Sequence, residues 1–167
     1  IKIKKVNQFH LDSPFHFHQL CELVWIEKGC GKRLVGDKVE NFSDGDLVLM
    51  SPNLPHIWQN ETTFPGRKKK FWTKATVVYF PRDFVTNLSD EPSITQPMEH
   101  LIRRASRGLK MFGNTHEDVT RILADISPGD GFKKILAFLT AMDILSSSKE
   151  YEYIASVSYT NCNDEND

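Results

Sequence analysis

The sequence predicts a mainly β protein, a sandwich or barrel of short strands, with a group of helices at its C-terminal end. Three observations lead there. As far as Phe80, apolar and β-branched runs are short and are separated by Gly, Pro, Asn and Asp. After Asp90-Glu91-Pro92 the apolar spacing becomes that of helices. His16, His18 and Glu22 stand at even spacing, so in extended backbone they share one face and Phe15 and Phe17 take the other.

Residues 1–10 alternate Ile1 and Ile3 with lysines and predict a short strand. Leu20 to Glu27 is a stronger one. Trp25 has the opposite parity to Glu22 and is expected outside the sheet, under a helix. Gly29-Cys30-Gly31 turns the chain, and Lys32–Val35 pairs with Lys38–Phe42 through Gly36-Asp37. Asp44-Gly45 turns it again before the apolar strand Asp46–Met50. Pro52 and Pro55 bar a regular ladder, which resumes at His56–Asn60 with His56, Trp58 and Asn60 on one face. Glu61 to Lys70 reads as an exposed loop, including the basic run Arg67-Lys68-Lys69-Lys70, and Phe71–Phe80 as the last long strand.

Pro97 is expected to open the first helix, which runs through Arg107 and stops at Gly108. Thr115 is the expected N-cap of the second, with Asp118 three residues on and Val119, Ile122, Leu123 and Ile126 on its apolar stripe. Ser127-Pro128-Gly129 ends it. Gly131–Ser146 forms the third, which has two apolar stripes: Phe132, Ile135, Leu136, Leu139 and Met142, then Phe138, Ala141 and Leu145. A helix this apolar is buried on two sides. One side packs on the chain's own body. The other is either internal or meets a second subunit, for which Ile135, Phe138, Leu139, Met142 and Leu145 are the candidates.

The 167 residues suit one domain, or a barrel with a helical appendage, and can bury a substantial core. A formal net charge of −1 makes this chain a poor match for phosphate backbones. Cys21, Cys30 and Cys162 form no disulfide framework or zinc ribbon, which fits a reducing cytoplasm. No signal peptide and no membrane-length apolar run is present. Nor is there a nucleophile elbow, a phosphate loop or a Cys/His pair with recognisable spacing, so no catalytic residues are assigned.

The chemistry concentrates in two stretches, His16-x-His18-x3-Glu22-x6-Gly29 and Gly45-x10-His56-x3-Asn60. Three imidazoles and a carboxylate brought together in a barrel can hold a divalent metal. They can instead hydrogen-bond a small polar ligand, or satisfy one another. Trp58 offers an aromatic face beside His56, suited to a carbohydrate, or simply fills the interior.

These two stretches resemble the motifs of the cupin superfamily. The surrounding text, with Gly45-Asp46-Leu47, Pro52-Asn53-Leu54-Pro55-His56, Ile102-Arg103-Arg104-Ala105 and Gly131-Phe132-Lys133-Lys134, resembles the N-terminal sensing domain of AraC-type transcriptional regulators. The resemblance implies a cupin-like double-stranded β-barrel (jelly roll) over residues 1–92 and a helical dimerisation subdomain over 93–148. An extended segment and linker over 149–167 would lead to a DNA-binding domain beyond this chain. It implies a cytoplasmic, non-enzymatic homodimer that senses a small-molecule effector, such as a carbohydrate, at His16, His18, Glu22, His56 and Trp58. DNA would be contacted only through the further domain. Metal cupins carry Pro-x-Gly before the histidine where this chain has Leu54-Pro55, so no cofactor is expected. The alternative is a metal-dependent cupin enzyme, of dioxygenase or sugar isomerase type, with the metal on His16, His18, Glu22 and His56.

Overall fold

A computed structural model describes residues 1–9, 11, 14–60 and 72–159. The basic run at 67–70 and the tail 160–167 lie outside the described residues. Strands β1 (Lys2–Gln8), β2 (Cys21–Lys28), β3 (Gly31–Val35), β4 (Lys38–Phe42), β5 (Leu47–Met50), β6 (His56–Asn60) and β7 (Thr73–Phe80) come first. Helix α1 (Pro92–Arg104), strand β8 (Leu109–Met111), helices α2 (Gly113–Asp125) and α3 (Phe132–Ser147) and strand β9 (Tyr151–Tyr153) follow.

All pairings are antiparallel and make two sheets, β1-β7-β2-β5-β8-β9 and β4-β3-β6. Alternation on β2 shows how they stack. Val24 and Ile26 point to the small sheet, where they join Val35, Phe42, Trp58 and Val77 in one core. Leu23 points the other way, into a second core with Leu49, Val78, Leu101, Leu123 and Phe138. Trp25 packs on that same helical side, as its parity predicts. The molecule is therefore small sheet, large sheet, helices. Among the described residues no ladder joins the two sheets into a closed barrel, and the architecture is that of two facing antiparallel sheets with C-terminal helices.

The Gly36-Asp37 hairpin forms as expected, with Gly36 at φ 59°. Gly108, at φ 68°, closes the helical turn that follows α1. Two helix starts differ from expectation. Helix α1 opens at Pro92, where a missing N–H loses nothing, and Pro97 lies inside it. Thr115 is not the cap of α2 but lies buried within its first turn, its hydroxyl 2.7 Å from that of Ser148. The free N–H of Thr115 donates instead to the Glu150 carboxylate at 2.7 Å. An anion there also suits the positive end of the helix dipole.

The two cores differ in the chemistry they hide. Cys21 is fully buried, and loss of hydration pushes its thiol up to about 12. We expect Cys21 to resist iodoacetamide in the folded protein and to react after denaturation, while half-buried Cys30 is labelled in both. Peptide mapping checks this.

Candidate functional site

The two motif stretches meet where residues 14–18 cross the start of β6. His16 and His56 exchange backbone hydrogen bonds, N–H to O, at 3.2 and 2.9 Å. That bridge sets their rings 4.5 Å apart, and His18 lies 5.3 Å from His56. The Asn53 N–H donates to the His18 carbonyl at 2.8 Å and ties the loop before β6 to the same stretch.

Each imidazole has Nδ1 on a backbone carbonyl: His16 on Pro14 at 2.7 Å, His18 on Leu20 at 3.0 Å and His56 on Leu54 at 2.7 Å. A carbonyl only accepts, so each Nδ1 carries a hydrogen and each Nε2 is left for other partners. The Leu54-Pro55 step that departs from the metal-cupin pattern thus supplies the carbonyl that orients His56. Glu22, at the start of β2, receives two of these rings. Its Oε2 lies 2.9 Å from His18 Nε2 and 3.0 Å from His56 Nε2. The first contact is a hydrogen bond. The second is out of line for one, which leaves the buried His56 Nε2 without a hydrogen-bond partner among the described residues.

Burial works to raise the pKa of Glu22, but the hydrogen bond to His18 and the close approach of the two imidazoles prevail and bring it down to about 2. Its hydrogen bond to Glu22 raises the pKa of His18, against the effect of burial. Tyr79 sits opposite Glu22 in the β2–β7 register, and burial, with the negative charge of Glu22, raises its phenol.

Beside this cluster a cavity of about 70 Å³ lies between the sheets. Val6, Leu11, Val24, Ile26, Ala75 and Val77 line its apolar part, and His16, Glu22, His56, Trp58 and Tyr79 its polar part. Trp58 is buried, and its indole N–H has no acceptor among the described residues. The structure thus brings His16, Glu22, His56 and Trp58 to one cavity, with His18 behind Glu22. The sequence reading missed Tyr79, although the alternation Ala75, Val77, Tyr79 on β7 would have placed it on the inner face. The donor set also fits a divalent metal, because one nitrogen from each of His16, His18 and His56 lies within 4.8 Å of the others, with Nδ1 already engaged.

The candidate dimer residues do not stay together. Phe138, Met142 and Leu145 are buried in the chain's own core, with Phe138 against Phe80 and Phe84. Ile135 and Leu139 remain half-covered, next to exposed Phe132 and Leu136 on the outer side of α3.

No family model matches this chain, and no curated protein matches it. Among solved structures it is similar to the AraC-like transcriptional activator CuxR, with a TM-score of 0.50 at 10% identity over 86% of this chain and 47% of that one. ToxT from Vibrio cholerae gives a TM-score of 0.45 at 13% identity, over 95% of this chain and 61% of that one. The fold is thus one found in an AraC-like activator, and the chain spans about half the length of CuxR.

Proposed function

We propose that this chain is the effector-sensing and dimerising part of an AraC-type transcription regulator, with the two facing sheets forming the walls of a cupin-like ligand site. The observation that supports ligand binding most is that two buried nitrogens beside a cavity, Trp58 Nε1 and His56 Nε2, make no hydrogen bond among the described residues, although His56 Nε2 lies 3.0 Å from the Glu22 carboxylate. Buried polar groups are nearly always satisfied, and a ligand or ordered water at the cavity satisfies such groups. The shared fold with CuxR is consistent with the regulator class.

On this reading the effector enters between the sheets in the cytoplasm, and DNA is contacted by a part of the regulator other than this chain. A ligand switches the regulator only through unequal affinity for two states. Homodimerisation uses the outer side of α3, where Phe132, Ile135, Leu136 and Leu139 make an apolar stripe.

A second reading, favoured by the convergence of three imidazole nitrogens, is a divalent metal on His16, His18 and His56 with Glu22, as in a cupin enzyme. Elemental analysis separates the two. The sensing reading predicts less than stoichiometric metal in purified protein, and a fold and melting temperature unchanged by chelator. One metal per chain, lost in His56→Ala, puts the metal reading first.

A further inference from the structure

The cavity has two polar needs that its own walls do not meet. Trp58 is 8% exposed and His56 3%, and both line the cavity. The indole N–H of Trp58 is a donor without an acceptor among the described residues. His56 Nδ1 gives its hydrogen to the Leu54 carbonyl at 2.7 Å, so the neutral ring turns a lone pair outward at Nε2. That nitrogen has no donor among the described residues, and the Glu22 carboxylate 3.0 Å away is itself an acceptor. One nitrogen needs an acceptor and the other a donor. Their ring centroids are 5.7 Å apart, within reach of a single small ligand group.

Net charge does not select the ligand. Glu22 is already paired with His18 at 2.9 Å, and Tyr79 and Lys4 add donors to the same lining. An ammonium only donates and leaves the indole N–H unsatisfied. A carboxylate only accepts and leaves His56 Nε2 unsatisfied. A group that both donates and accepts meets the two needs at once. A hydroxyl does so with a single heavy atom, whereas an amide or a carboxylic acid needs more room, and the cavity measures only about 70 Å³. The remaining walls are the aliphatic side chains of Val6, Leu11, Val24, Ile26, Ala75 and Val77. They suit a hydrocarbon body and ill suit a sugar, whose further hydroxyls each need a partner.

Resting on the reading of this cavity as a ligand site, we propose that it takes a short monohydric alcohol. The hydroxyl accepts from Trp58 Nε1 and donates to His56 Nε2, and the hydrocarbon body lies on Val24, Ile26, Ala75 and Val77. The volume is roughly half of the ~150 Å³ cavity known to hold benzene, so it admits a body of about three or four carbons.

The test is an NMR titration of the chain at neutral pH with chelator present, following the indole N–H of Trp58 and the ring nitrogens of His56. A ligand of about five heavy atoms reaches roughly micromolar affinity at best, so the titration extends into the millimolar range. The probes are butan-1-ol, its isomer methyl propyl ether, butylamine, butyrate, butanamide and a neutral sugar. Butan-1-ol is expected to shift both signals and to bind about tenfold tighter than the ether, which accepts but cannot donate. Trp58→Phe removes the N–H and keeps an aromatic ring. It should weaken alcohol and ether about tenfold alike, with the Trp25 indole at its wild-type position as evidence of an intact fold. Equal binding of alcohol and ether, or tighter binding of the amine, carboxylate, amide or sugar, overturns the alcohol and leaves the cavity a ligand site. So does a Trp58→Phe protein that binds butan-1-ol as tightly as the wild type, or a His56 ring with hydrogens on both nitrogens at neutral pH. No shift from any probe overturns both the alcohol and the ligand reading of this cavity, and a nuclear Overhauser contact between the indole N–H and water then assigns the site to ordered water.

Discussion

Asp46→Ala is expected to destabilise the fold by about 3–5 kcal/mol, because it strands one end of a buried guanidinium. Arg33, on β3, is 1% exposed and points between the sheets. Its Nη1 binds Asp46, at the entry to β5, and its Nη2 binds Glu40 on β4 at 2.9 Å. The network thus ties the small sheet to the large one. Its net worth is another matter. Burial outweighs the attraction of Arg33 and raises the pKa of Asp46, so ionising this carboxylate costs more in the folded protein than in water. Arg33 Nε also has no hydrogen-bond partner among the described residues. Replacing the pair together, as Arg33→Met with Asp46→Leu, is therefore expected to change stability by no more than about 1–2 kcal/mol, in either direction. Urea unfolding of the single and double variants measures both numbers. An Asp46→Ala protein as stable as the parent, or a double variant worse than the single, would contradict this view of the pair.

The second large effect separates the two sides of α3. Phe138→Glu is expected to leave no folded protein, since it puts a charge among Phe80, Phe84 and the core under the large sheet. Leu136→Glu, on the outer side where Leu136 is 51% exposed, should leave the fold intact and convert a dimer to a monomer. A charge in a two-fold interface is desolvated in both copies without a partner. A stable interface buries about 1,000 Å² or more, which the first turns of α3 supply only together with neighbouring residues of α1 or α2. Sedimentation velocity with far-UV circular dichroism reads both outcomes. A parent that is monomeric at tens of micromolar, or a Leu136→Glu protein that stays dimeric, removes this side of α3 as the contact.

The α3 result shows where sequence reasoning ended. Two apolar stripes on one helix indicate burial on two sides, but periodicity does not say which stripe faces the parent body. The three helices, and the bounds of α3 to within a residue, followed from spacing and from Ser127-Pro128-Gly129. Strand parity was informative wherever the chain is extended. It put Trp25 under the helices, because side-chain direction in a strand depends only on odd or even position, whereas the meeting of His16 and Glu22 with His56 was suggested by the spacing of the two motif stretches. Strands β8 and β9 were not legible. Each is three residues long, and each exists only because a distant edge is there to pair with. Glu150 as the cap of α2 was hidden for the same reason, since a local Thr115 looked sufficient and the partner comes from 35 residues on. Arg33 gave no signal, as a charged residue in an alternating hairpin reads as solvent-facing until Asp46 and Glu40 are seen around it.

The most direct test of ligand binding between the sheets is a thermal-shift screen of a small-molecule library on the wild-type chain and on Ala75→Leu in parallel. Leucine at 75 adds three carbons to the cavity wall and fills much of its volume. At least one compound is expected to raise the melting temperature of the wild type, as any ligand of the folded state must, and to lose that effect in Ala75→Leu. Compounds that stabilise both proteins equally would place the ligand elsewhere, and a library with no stabilising compound would contradict effector binding by this chain.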